Sequence, residues 1–270
     1  MSGVVLAQSP PAAQGGVPID ATALVRRAIQ HRLDERKNRP LMRYVLRKKD
    51  ERRETVKEII ETKDGDVARL VEVDGKPLSA EAEQAEMKRL DTLAAHAEMQ
   101  EHRKRSEERD EARIDHVMGM LPDAEVYEME GIEPCGAGQC YRLSYKPKPG
   151  FEPPDVEADV LRGVAGEVWI DEAQERLVRL DARFIGEVDF GFGILGKLNK
   201  GGMVTLRQTC VDGHTWELTE MKVDLTGKAL MVKPFKVEID QVMSGYAAVA
   251  PGLGYREAIE MLKREPVVTR

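Results

Sequence analysis

Three cysteines, five histidines and one glycine-rich apolar run are the residues of this 270-residue chain whose types and spacing bear on chemistry. Cys135-Gly-Ala-Gly-Gln-Cys140 sets two thiols around a short loop, with Pro134 before it and the alternating run Tyr141–Tyr145 after it. Gly136 and Gly138 let the chain double back, which can bring the two Cα atoms into disulfide range. A disulfide closing a hairpin is the leading expectation, and it suits an oxidising compartment. A zinc half-site would need a second ligand pair, which Cys210 and the dispersed histidines do not supply. A thioredoxin-type dithiol needs the tighter Cys-x-x-Cys spacing. Cys210 ends the strand-like run Met203–Cys210 and reads as a buried free thiol.

Gly191-Phe-Gly-Ile-Leu-Gly196 has the spacing of a dinucleotide-binding turn. That motif works only between a strand and a helix of a βαβ unit, and Lys197–Gly202 is a poor helix start. The run reads instead as an apolar connection between strands. Phe190, Phe192, Ile194, Leu195 and Leu198 would line an apolar ligand cavity there, or simply fill core. No nucleophile elbow, His-Glu-x-x-His pair or P-loop occurs. His31, His96, His102, His116 and His214 are scattered, and Asp189, between Val188 and Phe190, is the one acid in an apolar setting; a turn or strand-end role is expected of it. Arg43, Arg47, Lys48, Lys49, Arg52 and Arg53 are diluted by Asp50, Glu51 and Glu54 and read as a solvated strand face. The expectation is a non-enzymatic protein with no cofactor and no metal.

The elements that would position these residues fall into three zones. A helix is expected within 18–40, capped by Asp20 or Thr22, with Leu24, Val25, Ala28, Ile29 and Leu33 at helical spacing. Strands Leu41–Arg47, Glu54–Thr62 and Asp66–Val73 follow, with a two-residue hairpin signal at Asp64-Gly65 and Asp74-Gly75 ending the third run. Ser79 then caps a helical stretch to about Leu121. Residues 100–113 hold almost nothing to bury, so the spacing predicts a solvated helix or a hinge between two helices. The zone 125–246 is rich in β signals: Gly166–Asp171 and Glu175–Ile185 around a tight turn, then Met203–Val211 and Thr215–Met221 around Asp212-Gly213. Val223–Leu225 and Leu230–Ile239 are expected to flank a turn at Thr226-Gly227-Lys228. Runs joined by tight turns pair antiparallel. Tyr255–Lys263 reads as a short amphipathic helix.

Composition narrows the function classes. A net charge of −7 and a pI near 5.5 argue against a general nucleic-acid binder, and no apolar run is long enough for a transmembrane helix. Residues 3–16 carry small residues at a signal-cleavage spacing, Val5-Leu6-Ala7, and then a Pro/Ala/Gln/Gly tail. Residues 1–17 are therefore read as a disordered tail or a signal-peptide remnant, and 18–264 as one domain.

The block from Pro134 to Tyr246 resembles the bacterial outer-membrane lipoprotein-sorting superfamily, the LolA/LolB/RseB-like fold. The likeness is carried by Gly166-Glu-Val-Trp-Ile-Asp171, Arg176-Leu-Val-Arg-Leu180, Phe190-Gly-Phe-Gly193 and the Trp216-Glu-Leu218 strand. The resemblance implies an α+β fold: a strongly curved antiparallel sheet, a half-open barrel, with helices over its concave face. The charged helical insertion 79–121 is a departure from that pattern. It also implies a periplasmic protein that holds lipid or lipoprotein acyl chains in an apolar concavity. Trp169, Phe184, Phe190, Phe192, Ile194, Leu195 and Trp216 are the residues expected at the inner face or rim. The competing expectation is an envelope scaffold or sensor that contacts an envelope protein partner through the charged helix.

Overall fold

The computed structural model describes residues 19–190, 196–230 and 233–264. Helix α1 (Ala21–Asn38) starts at Asp20, whose carboxylate accepts from the Ala23 N–H at 3.0 Å. Strands β1 (Met42–Asp50), β2 (Glu54–Ile60), β3 (Val67–Val73) and the two-residue β4 (Lys76–Pro77) form a meander. Asp74 and Gly75, with φ of 52° and 73°, make the tight turn between β3 and β4, whereas the two-residue hairpin expected at Asp64-Gly65 is instead a longer connection, 61–66, between β2 and β3.

Helices α2 (Ala80–Ala95) and α3 (Ala97–Ala124) occupy the predicted helical stretch, and Ser79 caps the first by accepting from Ala82 N–H at 3.2 Å. The break falls at His96, ahead of the charged run, because 97–113 continues as unbroken helix. That run is not wholly solvated. Gln100 is buried and donates through Nε2 to the Asp64 and Asp66 carbonyls at 3.0 and 3.3 Å.

The remaining strands are β5 (Glu125–Cys135), β6 (Gly138–Pro147), β7 (Val164–Asp171), β8 (Leu177–Phe184), β9 (Val188–Phe190), β10 (Gly196–Leu198), β11 (Met203–Cys210), β12 (Trp216–Ala229) and β13 (Lys233–Ala248). A 3₁₀ turn, Ala158–Gly163, precedes β7, and α4 (Tyr255–Arg264) closes the described chain. All 13 strands belong to one antiparallel sheet, with order β4-β3-β2-β1-β13-β12-β11-β8-β7-β6-β5 and β9 and β10 hung on β12. The fold is α+β, and the sheet does not close into a barrel: β4 and β5 are its edges.

The expected turn at Thr226-Gly227-Lys228 is not there. β12 runs through it to Ala229, and Gly227 sits opposite Phe235 in β13. A Cβ on Gly227 would lie 2.2 Å from the Lys197 carbonyl and 2.6 Å from the Phe235 ring, so this glycine serves close strand approach, not a turn. Arg43 also departs from its solvated reading. It is buried and donates from Nε to Glu58, which is fully buried, at 2.6 Å.

Two separate apolar clusters hold helices to the sheet. At the β5–β8 end, Leu24, Val25, Ala28 and Ile29 of α1 and Met118 and Leu121 of α3 pack on Leu143, Val168, Ile170, Leu180 and Phe184. At the other end, Leu90 and Leu93 of α2 and Ile259 and Leu262 of α4 pack on Ile60 and Val67. Strands β1, β13, β12 and β11 lie between these clusters in the strand order. Helix α3 has 28 residues, about 42 Å of helix, and bridges the gap. Its first turns bond the β2–β3 connection through Gln100, Lys104 and Glu107, and its last turns join the α1 cluster.

Candidate functional site

Pairing register defines the face of the sheet between the two clusters, because residues directly opposite one another share a face. Core residue Leu180 lies opposite Leu206, which lies opposite Met221, then Gln241. One step along, Ala182, Val204, Val223 and Ile239 form a second row. Leu225 and Val237 form a third, and Leu225 and Phe184 both lie against Gly202. Met243 and Leu46 continue the face onto β1. Leu180, Phe184 and Met243 are buried and the other side chains are half-buried. The opposite face of the same strands carries exposed Lys222, Asp224, Lys236, Glu238 and Asp240, several of them ion-paired to one another. The core under α1 and α3 therefore continues as an apolar surface across β11, β12 and β13.

The β1 end of this face opens into a groove of about 290 Å³ between α1, α3 and the sheet, lined by Leu46 and Met243 together with charged groups. Arg39 is its hub, donating to Glu61 at 2.6 and 2.8 Å and to Glu217 at 3.0 Å. Burial is the largest influence on the Arg39 guanidinium and lowers its pKa, but Glu61 and Glu217 outweigh it and raise the pKa. Burial pushes Glu217 up to about 7 despite Arg39, and pushes Asp66 up to about 7, with Glu61, Glu107 and Glu111 pushing the same way. Tyr44 and Tyr246 stack in the groove with centroids 4.9 Å apart.

A second cleft, about 720 Å³, opens on the face carrying Trp169 and Arg179, away from the helices. Its rim is the hairpin tip between β5 and β6, closed by a Cys135–Cys140 disulfide with Cα atoms 5.7 Å apart. Trp169 is buried, donates from Nε1 to Glu133 at 2.5 Å and lies under the Arg179 guanidinium, 4.4 Å from the ring centroid. Arg179 in turn pairs with Asp181. Cys210 lines this cleft as a free thiol and is half-buried, not buried as expected. Both cysteines of the hairpin replaced by serine should cost about 2 kcal/mol, the loop-closure value for so short a loop. Urea unfolding with and without reductant checks this: reductant should lower the wild-type midpoint and leave the double variant unmoved.

The residues expected at a ligand site are dispersed. Trp169 and Trp216 both line the second cleft, and Trp216, which donates from Nε1 to Gln174 at 2.9 Å, also lines the groove. Phe184 is buried in the α1 cluster and Phe190 packs against it. Phe192, Ile194 and Leu195 lie outside the described residues. Asp189 is a strand residue, 3.5 Å from Lys197 on the paired strand. The Arg39–Glu61–Glu217 network went unread because its members are 22 and 178 residues apart. Among the described residues, His116, Asp155 and Glu157 also converge at the surface, His116 Nε2 lying 2.6 Å from Asp155.

The class this arrangement defines is an open antiparallel sheet carrying one continuous apolar face, bridged by a helix and ending in a charged groove. No protein-family model and no curated protein sequence matches the chain. Among solved structures, a domain described as an outer membrane lipoprotein-sorting protein from Vibrio parahaemolyticus is similar at 10% identity, covering 89% of this chain and 100% of that one with a TM-score of 0.28. A DUF1329 family protein from Desulfovibrio piger is similar at 14% identity, covering 87% and 96%, also with a TM-score of 0.28. MucB, solved in complex with MucA(peri), is similar at 8% identity, covering 83% and 94%, with a TM-score of 0.24. No helix among the described residues is long and apolar enough to cross a membrane.

Proposed function

We propose that this chain is a non-enzymatic periplasmic protein that holds the acyl chains of a lipid or lipoprotein against the apolar face of β11, β12 and β13. The observation that carries the reading is the continuity of that face with the core and its half-buried state between two helix-covered clusters. Water gives up an acyl chain readily, at roughly 0.8 kcal/mol per buried CH₂. In this reading the sheet curves around the chain as a half-barrel, α1 and α3 cover it, and Phe184 and Phe190 stand at its inner edge. Residues 18–264 then act as one domain, with 79–121 as its bridging insertion.

Protein purified without detergent, extracted with organic solvent and analysed by mass spectrometry should yield acyl lipid near one equivalent per chain. A chain free of lipid that also fails to bind a fluorescent fatty acid would overturn the reading. Function would then move to the charged outer face of α3 and to an envelope protein partner.

A further inference from the structure

We propose that the groove at the β1 end of the apolar face recognises a zwitterionic phospholipid headgroup, its phosphate at Arg32 and its ammonium at Asp66 beside Tyr44. The inference rests on the acyl-chain reading and names the lipid class. It follows from a pairing inventory of the groove. Arg36 is held by Glu111 at 2.5 Å and Asp115 at 2.8 Å. Arg39 is held by Glu61 and Glu217, and Glu35 by Arg176 at 3.0 Å. Among the described residues lining the groove, two charged side chains are left without an ion-pair partner, one of each sign: Arg32 and Asp66.

Arg32 reaches the Gln208 amide oxygen from Nη1 at 2.9 Å, in the amide orientation that also lets Gln208 donate to the Leu177 carbonyl. Its Nε is buried with no partner. Burial disfavours its charge, and Arg36 and Arg39 add to this; Asp115 and Glu111 act the other way and do not outweigh it. An incoming phosphate would relieve both costs, since a guanidinium binds phosphate through parallel N–H donors. Asp66 uses its backbone: its N–H donates to Glu107 at 3.1 Å and its carbonyl accepts from Gln100. Its carboxylate is buried among Glu61, Glu107 and Glu111, whose charge Arg39 only partly offsets, a setting that an ammonium group would stabilise. The stacked Tyr44 and Tyr246 line the same groove and offer ring faces to that cation. Leu46 and Met243 line it too, so a headgroup seated here directs its tails onto the apolar face. A ligand of one sign would satisfy one of the two groups and leave the other repelled or bare.

The test is calorimetric titration of the full chain with three probes: short-chain phosphatidylethanolamine, phosphatidylglycerol with the same tails, and a fatty acid. Phosphatidylethanolamine should bind at least about tenfold tighter than phosphatidylglycerol, the value of one charge-assisted contact. Asp66→Asn should bring the two phospholipids level, and Arg32→Gln should weaken both by about tenfold, with fatty-acid affinity unchanged in both variants. Equal affinity for the two phospholipids in the wild type would overturn the headgroup assignment while fatty-acid binding upheld the acyl reading. Failure of all three probes to bind would overturn both.

Discussion

Val223→Asp should weaken binding of a fluorescent fatty acid about thirtyfold, while Asp224→Lys, one residue along the same strand, should leave it unchanged. Val223 lies in the row Ala182, Val204, Val223, Ile239 on the apolar face, and Asp224 points to the charged face. A carboxylate at position 223 must either lose its water against the bound chain or hold the chain away. Stripping a polar group of water without a partner costs about 2 kcal/mol in proteins, and that converts to the thirtyfold expected. Val223 is only half-buried in the free protein, so the unliganded fold should tolerate the change. Far-UV circular dichroism and the unfolding midpoint keep a folding defect apart from a binding defect. If both variants bind like wild type, the apolar face is not where the chain lies.

How far this site was legible in sequence depends on the distance over which its parts meet. Local patterns speak plainly. Helix α1, its Asp20 cap, the end of β3 at Asp74-Gly75, the Ser79 cap and the Cys135–Cys140 closure each rest on residues a few positions apart. The alternation of β12 and β13 is visible as well, with Val223, Leu225, Val237 and Ile239 separated by charged residues. What alternation cannot reveal is which face of one strand joins which face of the next. A one-residue change of register turns an apolar row outward. The bulges between Arg207 and Gln208 and between Trp169 and Ile170 are such local changes. Aromatic residues drew attention in the sequence because they bury large areas, yet Trp169 lies across the sheet from the core residues Val168 and Ile170. The valines, leucines and isoleucines of the apolar face carry no individual signal.

Charged residues are the least legible part. The basic run around Arg43 looks solvated, because nothing nearby in sequence announces Glu58 as a buried partner. The Arg39 network forms only when α1, the end of β2 and the start of β12 meet. Such a cluster is expensive to bury and is retained here where α1, α3 and the sheet face each other. Its position sets a polar limit to the apolar face, and a chain lying on that face must end at charge.

Glu125 gives the chain a pH-dependent stability that a single substitution should remove. It is the first residue of β5, 2% exposed, and neither carboxyl oxygen has a hydrogen-bond partner among the described residues. Burial pushes it up to about 8 from an ordinary value of 4.5. The folded state therefore holds this proton more tightly than the unfolded chain does. Between about pH 4.5 and pH 8 the folded form binds more protons, so stability falls as pH rises through that window and levels off above it. Asp66 and Glu217, both pushed up to about 7, act in the same direction. Urea unfolding at pH 5.5 and pH 8.5 should show a loss of roughly 2–4 kcal/mol traceable to Glu125, since each tenfold difference in proton affinity between the two states is worth about 1.4 kcal/mol. Glu125→Gln should remove that part of the slope and keep the part owed to Asp66 and Glu217. The comparison is between slopes, so any cost of seating the amide cancels. An identical pH slope in wild type and variant would mean that Glu125 is solvated or paired in solution, and that the β5 edge next to α3 opens to water.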